Sequence, residues 1–513
     1  MKSITFKTKL YMYSFLTLAS FLNITQAEAD LLVIRDSRES ANMHDVNSRS
    51  PAFNYFANEI KDANQGIFHG SSSEERAVAR ENFSSEGAAY KTMHPANKKN
   101  DNSSDAALTH KQIKNILNEL FKEGVQNSPQ VNSARFLHDA ATESVKEAKG
   151  QRLPQVDINS NSKSVYFGGG NKDKRDYNNA DVQVTMAVNV LDFGQTTHLV
   201  KSREEQAVAA KYNVTAQQEN LAWLLVSAYT EMYKQKLIIE VSKDYVDRMQ
   251  ELTEMLEGIV KIDTGRRGEL TQARGKLLQA QSSLEAAITK AKDQEIILQR
   301  HTGKAVWDVP LRWRWDLQPG DLNELLSRIH TNPAIIQAKA EIQSALSEAK
   351  ALDATKMPKV NWVVSKNLGD DVNGNRQAFE TGIQLSWGIF RGGSTTAAVK
   401  AATMKAESAR QNMGDQLNEL EQRIRAGDHD AKSLLDRAEL YRSLTSESDK
   451  IRNDFFQQWY HLGKRTLLDV LSAEGDFYNH RTGEITSRFD AYISIMKGYA
   501  SAGILTSWLE NRS

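Results

Sequence analysis

The chain has 513 residues, no cysteine, and equal numbers of basic and acidic residues, 65 of each, for a formal net charge of zero. The lack of cysteine excludes disulfides and Cys-ligated zinc or iron–sulfur centres, and the balanced charge gives no electrostatic case for nucleic acid. Past the N-terminus, no stretch reaches the roughly eighteen consecutive apolar residues of a membrane-spanning helix.

Lys2, Lys7 and Lys9 precede an apolar run over 11–22, and Ala27-Glu28-Ala29 supplies a small-x-small cleavage pattern. Residues 1–29 are therefore expected to be a secretory signal peptide. Residues 30–105 are rich in Ser, Asn, Gly and charge, with little to bury, and are expected to be a disordered polar extension.

From residue 106 the chain says one thing twice. Asn127-Ser128-Pro129 opens a helix that ends before Leu153-Pro154; Thr331-Asn332-Pro333 opens another that ends before Met357-Pro358, with the same spacing between prolines. Proline at an early helical position costs little because its missing N–H would be unpaired there anyway. Each copy then alternates with period two. Val182, Val184, Met186, Val188 and Val190 form the clearest strand, and Phe379, Thr381, Ile383, Leu385, Trp387 and Ile389 its counterpart. Strands are expected at about 156–167, 180–192, 360–368 and 379–390, two hairpins in all. At about ten residues, the two clearest match the length of a tilted membrane strand.

Long proline-free stretches follow each hairpin. Ala207, Ala210, Val214, Leu221, Leu224, Ala228 and Met232, and again Leu417, Leu420, Ile424, Ala431, Leu434 and Ala438, show heptad-like spacing. Long helical hairpins are expected over 195–302 and 394–500, with helices of about 50 residues spanning about 75 Å. The duplication divides the chain into a first repeat, 106–309, and a second, 310–513, which includes an equatorial segment. Four strands cannot close a membrane barrel, since small barrels need about eight, and an open edge in lipid leaves backbone groups without partners. Strands in a membrane would therefore require several chains; a soluble four-stranded sheet is the competing arrangement.

Together these residues resemble the TolC family of outer-membrane efflux and type I secretion channels. The features that carry the resemblance are Pro129, Pro154, Pro333 and Pro358, the Leu191-Asp192-Phe193-Gly194 and Ile389-Phe390-Arg391-Gly392-Gly393 segments, and Gly463-Lys464-Arg465-Thr466-Leu467-Leu468-Asp469-Val470-Leu471. The first-copy counterpart of the last motif, Gly265 to Leu270, is degenerate. The resemblance implies a mainly α fold with transmembrane β, in which a homotrimer forms a twelve-stranded outer-membrane β-barrel continued by a periplasmic α-helical barrel. It implies a passive exit duct for protein cargo or small toxic compounds, in contact with outer-membrane lipid. Its partners would be a periplasmic adaptor and an inner-membrane ABC or proton-driven transporter. A non-channel periplasmic coiled-coil adaptor is the competing reading.

No P-loop, nucleophile motif or zinc-binding His pair is present, so neither catalytic chemistry nor a cofactor or metal is expected. By the resemblance, a periplasmic gate is expected about twenty residues before each glycine motif. That places it near Lys243 and Asp244, and near Asp436, Tyr441 and Arg442. Ordinary solvated coiled-coil charge is the competing account of those residues.

Overall fold

The computed structural model describes residues 107–161, 181–304, 311–368 and 378–510. The expected signal peptide and polar extension, and the tips of both β-hairpins, lie outside the described residues.

Each repeat begins with a capped helix. After α1 (His110–Asn127), Ser128 caps α2 (Pro129–Gly150) by accepting from Val131 N at 3.4 Å. The strands β1 (Gln155–Asn161) and β2 (Asp181–Leu191) lead into α3 (Gln195–Ile262), a single helix of 68 residues. A one-turn 3-10 helix, Thr264–Arg266, reverses the chain into α4 (Arg267–Thr302). The second copy follows the short α5 (Leu322–Arg328). Asn332 caps α6 (Pro333–Ala354) by accepting from Ala334 N at 2.9 Å. Then come β3 (Lys359–Asn367), β4 (Glu380–Ser386), the 67-residue α7 (Ser394–Tyr460), α8 (Leu467–Ala502) and the short α9 (Leu505–Leu509). At 1.5 Å per residue α3 and α7 each run about 100 Å, longer than expected. Both start at a glycine with left-handed backbone, Gly194 (φ 90°) and Gly393 (φ 80°), a conformation that costs other residues energy.

The four strands form one antiparallel sheet in the order β1-β2-β3-β4. Its register sorts the side chains cleanly. Val156 lies opposite Met186, and Met186 opposite Val364; Val188 lies opposite Trp362, and Trp362 opposite Ile383. One face is thus mostly Val, Ile, Met, Leu and Trp, broken by Ser160, Lys366 and Thr381. The other carries Asp157, Asn159, Gln183, Thr185, Asn361, Ser365 and Gln384. β4 ends at Ser386, short of the expected 390. Ser386 pairs with Lys359, the first residue of β3, and the preceding Pro358 has no N–H to extend the ladder.

The helices pack as rows. Near the sheet the order is α2-α3-α6-α7; at the far end it is α4-α3-α8-α7. α3 and α7 run the full length, whereas α2 stacks above α4 and α6 above α8. Burial reflects this order. α8, between two neighbours, buries residues on two sides, whereas α7 buries a narrow stripe of Ile424, Gly427, Ala431 and Ala438 at heptad spacing. Both rows end on the same two sides as the sheet. α2 leads into β1 at one edge, and β4 leads into α7 at the other.

The core sits between the two levels. Trp315 is 4% exposed among Tyr229, Tyr233, Phe489 and Tyr492. Leu108 and Trp315 form a single parallel bridge, so the equatorial segment is tied to the residues that lead into α1.

Candidate functional site

The far ends of the two helical hairpins differ in construction. At the first, Asp263 accepts from Gly265 N at 3.0 Å and holds the 3-10 turn. At the second, Gly463 has φ 58°, and Thr466 and Asp469 cap α8 reciprocally: Asp469 N donates to Thr466 Oγ1 at 3.3 Å, and Thr466 N donates to Asp469 Oδ2 at 3.1 Å. Those hydrogen bonds from Thr466 hold the Asp469 carboxyl below its usual range. The motif residues divide by role. Val470 and Leu471 are core, whereas Leu468 (54% exposed) faces out, as do Leu462 and Ile262 near the tips.

About two to five turns above the tips, α3 and α7 both press on α8. From α3, Tyr245 stacks on Tyr478 with centroids 4.5 Å apart, and Asp244 lies 3.7 Å from Arg481. From α7, Tyr441 lies against Gly483, where an added Cβ would come within 3.0 Å of its ring. The structure therefore gathers two of the expected residues, Asp244 and Tyr441, on one stretch of α8. It does not gather the others. Lys243 and Asp436 are exposed, and Arg442 pairs with Glu439 of its own helix at 3.7 Å.

The strongest polar contacts at this joint are residues that sequence reasoning did not single out. Glu474 on α8, with its side chain 3% exposed, accepts from Arg248 Nε of α3 at 2.9 Å and from Arg452 Nη1 of α7 at 3.2 Å. The Arg248 guanidinium also lies over Phe456, and Arg452 over Phe477, at 4.7 and 3.9 Å. Burial opposes the charge on Arg248, but the Glu474 and Glu251 carboxylates outweigh it and raise its pKa. Higher up, Arg488 of α8 meets Glu439 of α7 at 3.0 Å, and Asp490 meets Lys234 of α3 at 2.7 Å. Burial works against the Glu439 carboxylate, yet the Arg488 guanidinium holds its pKa below the ordinary value. A clue was present in the sequence. Arg452 continues the heptad of Ile424, Ala431 and Ala438, and a charge in an apolar register needs a partner.

Chemically, this arrangement ties three helices together through one buried carboxylate and two guanidinium groups. Among the described residues no group of three or more His, Asp or Glu is placed to hold a metal ion.

Comparison with known proteins gives a consistent answer. The family model described as "Outer membrane efflux protein" matches residues 120–304 and 326–494. The outer membrane efflux protein BepC of Brucella suis biovar 1 (strain 1330) is 22% identical over 395 residues, covering 74% of this chain and 84% of BepC. The alkaline protease secretion protein AprF of Pseudomonas aeruginosa is 22% identical over 406 residues, covering 74% and 83%. Among solved structures, the outer membrane protein VceC of Vibrio cholerae superposes with a TM-score of 0.66 at 17% identity, covering 75% of this chain and 96% of VceC. One matched segment falls in each repeat and together they make up more than half of the chain, so the chain belongs to the outer membrane efflux protein family.

Proposed function

We propose that three copies of this chain close into one conduit: a twelve-stranded barrel in the outer membrane continued by a helical tunnel in the periplasm. It is a passive exit duct of a tripartite export system and carries protein cargo or small toxic compounds. The observation that carries this reading is a sheet with one apolar face and two unpaired edges, β1 and β4. The apolar face suits lipid and the polar face a water-filled lumen. Unpaired edges cannot remain in lipid, so β4 of one copy must meet β1 of the next. The helical rows end on the same two sides, so one rotation closes both levels. Trp387, Phe390 and Phe193, exposed where strands give way to helices, suit the membrane interface.

A periplasmic adaptor docks on the tips, where Ile262, Leu462 and Leu468 are exposed, and an inner-membrane ABC or proton-driven transporter supplies the energy. The polar joint around Glu474, with Asp244 and Tyr441, forms the periplasmic gate. A bridging adaptor without a channel would have no use for the apolar sheet face. The reading is tested by native mass measurement of detergent-extracted protein and by planar-bilayer recording. A trimer that conducts ions is expected, and a soluble, non-conducting monomer overturns it.

A further inference from the structure

The end helices of the far row, α4 and α7, each bury one stripe and leave the opposite stripe bare. On α4 the buried stripe includes Leu270, Ala273, Ala280, Ala287 and Leu298; the bare side carries Glu285, Ile296 and Arg300. On α7 the bare side carries Asp436, Leu440 and Lys450. Each edge therefore shows an exposed aliphatic residue, Ile296 at 55% and Leu440 at 67%, with a charge on either side along the helix.

Ion pairs across the row fix the relative heights of the two edges. Leu440 follows Glu439, which meets Arg488 on α8 at 3.0 Å. Asp490, two residues on, meets Lys234 on α3 at 2.7 Å. Lys234 lies as many residues up α3 from Glu257 as Ile297 lies up α4 from Arg274, and Glu257 and Arg274 are bridged at 2.7 Å. Ile296 therefore stands about two residues, roughly 3 Å, above the height of Leu440 and as far below that of Asp436, so height leaves two registers and the side-chain pattern chooses between them. A ring closed by rotation alone has no step along its axis, so residues at one height in a chain meet at that height across the seam.

α4 climbs from the tip while α7 descends to it. One turn above Ile296 is Arg300, and one turn above Leu440 is Asp436. About three turns below Ile296 is Glu285, and about three turns below Leu440 is Lys450. These three levels thus match opposite charges or two aliphatic side chains. A slip of one turn brings Glu285 opposite Asp454 in one direction and Arg300 opposite Lys432 in the other, so like charges penalise both errors. Lys450 already lies 2.7 Å from Glu447, but both are exposed, and such a pair yields at little cost.

We propose that a second copy of this chain seats its α7 edge on the α4 edge of the first, in the register Glu285 to Lys450, Ile296 to Leu440 and Arg300 to Asp436. This rests on the ring assembly proposed above and adds which helical surfaces meet and at what height. Asp436 becomes a seam residue rather than part of the gate.

The chain has no cysteine, so an engineered pair reports cleanly. Ile296→Cys with Leu440→Cys in the full-length protein, treated in membranes with a short bis-maleimide, is expected to give covalent dimers and closed trimers. Ile296→Cys with Asp436→Cys, one turn out of register, should give several-fold less product. Equal or absent product in both, from a protein whose native mass is still trimeric, overturns the register and leaves the assembly standing. A monomeric native mass overturns the assembly and the seam with it. As an arm that does not rely on the cysteines, Glu285→Lys should lower the temperature at which the trimer dissociates, and adding Lys450→Glu should restore it. Failure of the second charge to restore it counts against the seam.

Discussion

The Tyr492 hydroxyl holds both backbone groups of Trp315: it accepts from the amide N at 3.1 Å and donates to the carbonyl O at 2.8 Å. The rings lie stacked, 5.5 Å apart. One phenol thereby fixes the equatorial segment to α8, while Tyr233 holds the same segment to α3 by accepting from Arg312 N at 2.6 Å. Tyr492→Phe keeps the ring but leaves a buried N–H and C=O without that partner. A loss of about 1–3 kcal/mol is expected, read as a lower midpoint in chemical denaturation.

Glu474→Ala leaves Arg248 and Arg452 facing each other across α8 with no carboxylate between them. Removing one member of a buried ionic cluster costs about 3–5 kcal/mol. Single-channel conductance in a planar bilayer is expected to rise. Asp244→Ala combined with Arg442→Ser should raise it less, since both contacts involve exposed side chains worth about 0–1 kcal/mol. The reverse order would remove Glu474 from the centre of the proposed gate.

Stability should depend on pH through Glu219. This carboxyl, 6% exposed on α3, accepts from Thr506 N of α9 at 3.2 Å and faces Glu510. Burial pushes its pKa up to about 7. A raised folded pKa means the folded protein binds the proton more tightly than the unfolded chain. The resulting stability is full below the ordinary value of 4.5 and is lost as pH rises towards 7. Hydrogen exchange at α9 should therefore quicken between those values, and Glu219→Gln should flatten that dependence.

The two tips should respond differently to the same substitution. Gly463→Ala forces a side chain into a left-handed conformation and should cost about 1–2 kcal/mol. Gly265 has no positive φ, and an added Cβ would meet only Asp263 Oδ1, at 3.1 Å. Gly265→Ala should be milder in thermal unfolding.

Much of this fold was legible in the chain because its signals are local. Pro129 and Pro333 each follow a capping side chain, and the β2 alternation persists along the whole strand. The end of β4 was misread because Trp387 and Ile389 continue the period while the partner strand begins only after Pro358. The helices were underestimated because alanine heptads look alike over any length. The α3–α8–α7 joint was half legible: Asp244 and Tyr441 were in reach of the motif, but Glu474 acquires meaning only when two arginines distant in sequence converge on it. The order of helices in each row lies in no local pattern, since it depends on which stripe meets which.

Of the four columns in each row, only two are unbroken rods. α3 and α7 pass from the sheet to the tips without interruption, whereas the α2/α4 and α6/α8 columns are each cut at the equator. A torque applied at the tips therefore reaches the strands through two shafts, while the two cut columns act as slip couplings. In the proposed trimer, unwinding of the lower end would therefore reach the strands through only two of the four columns.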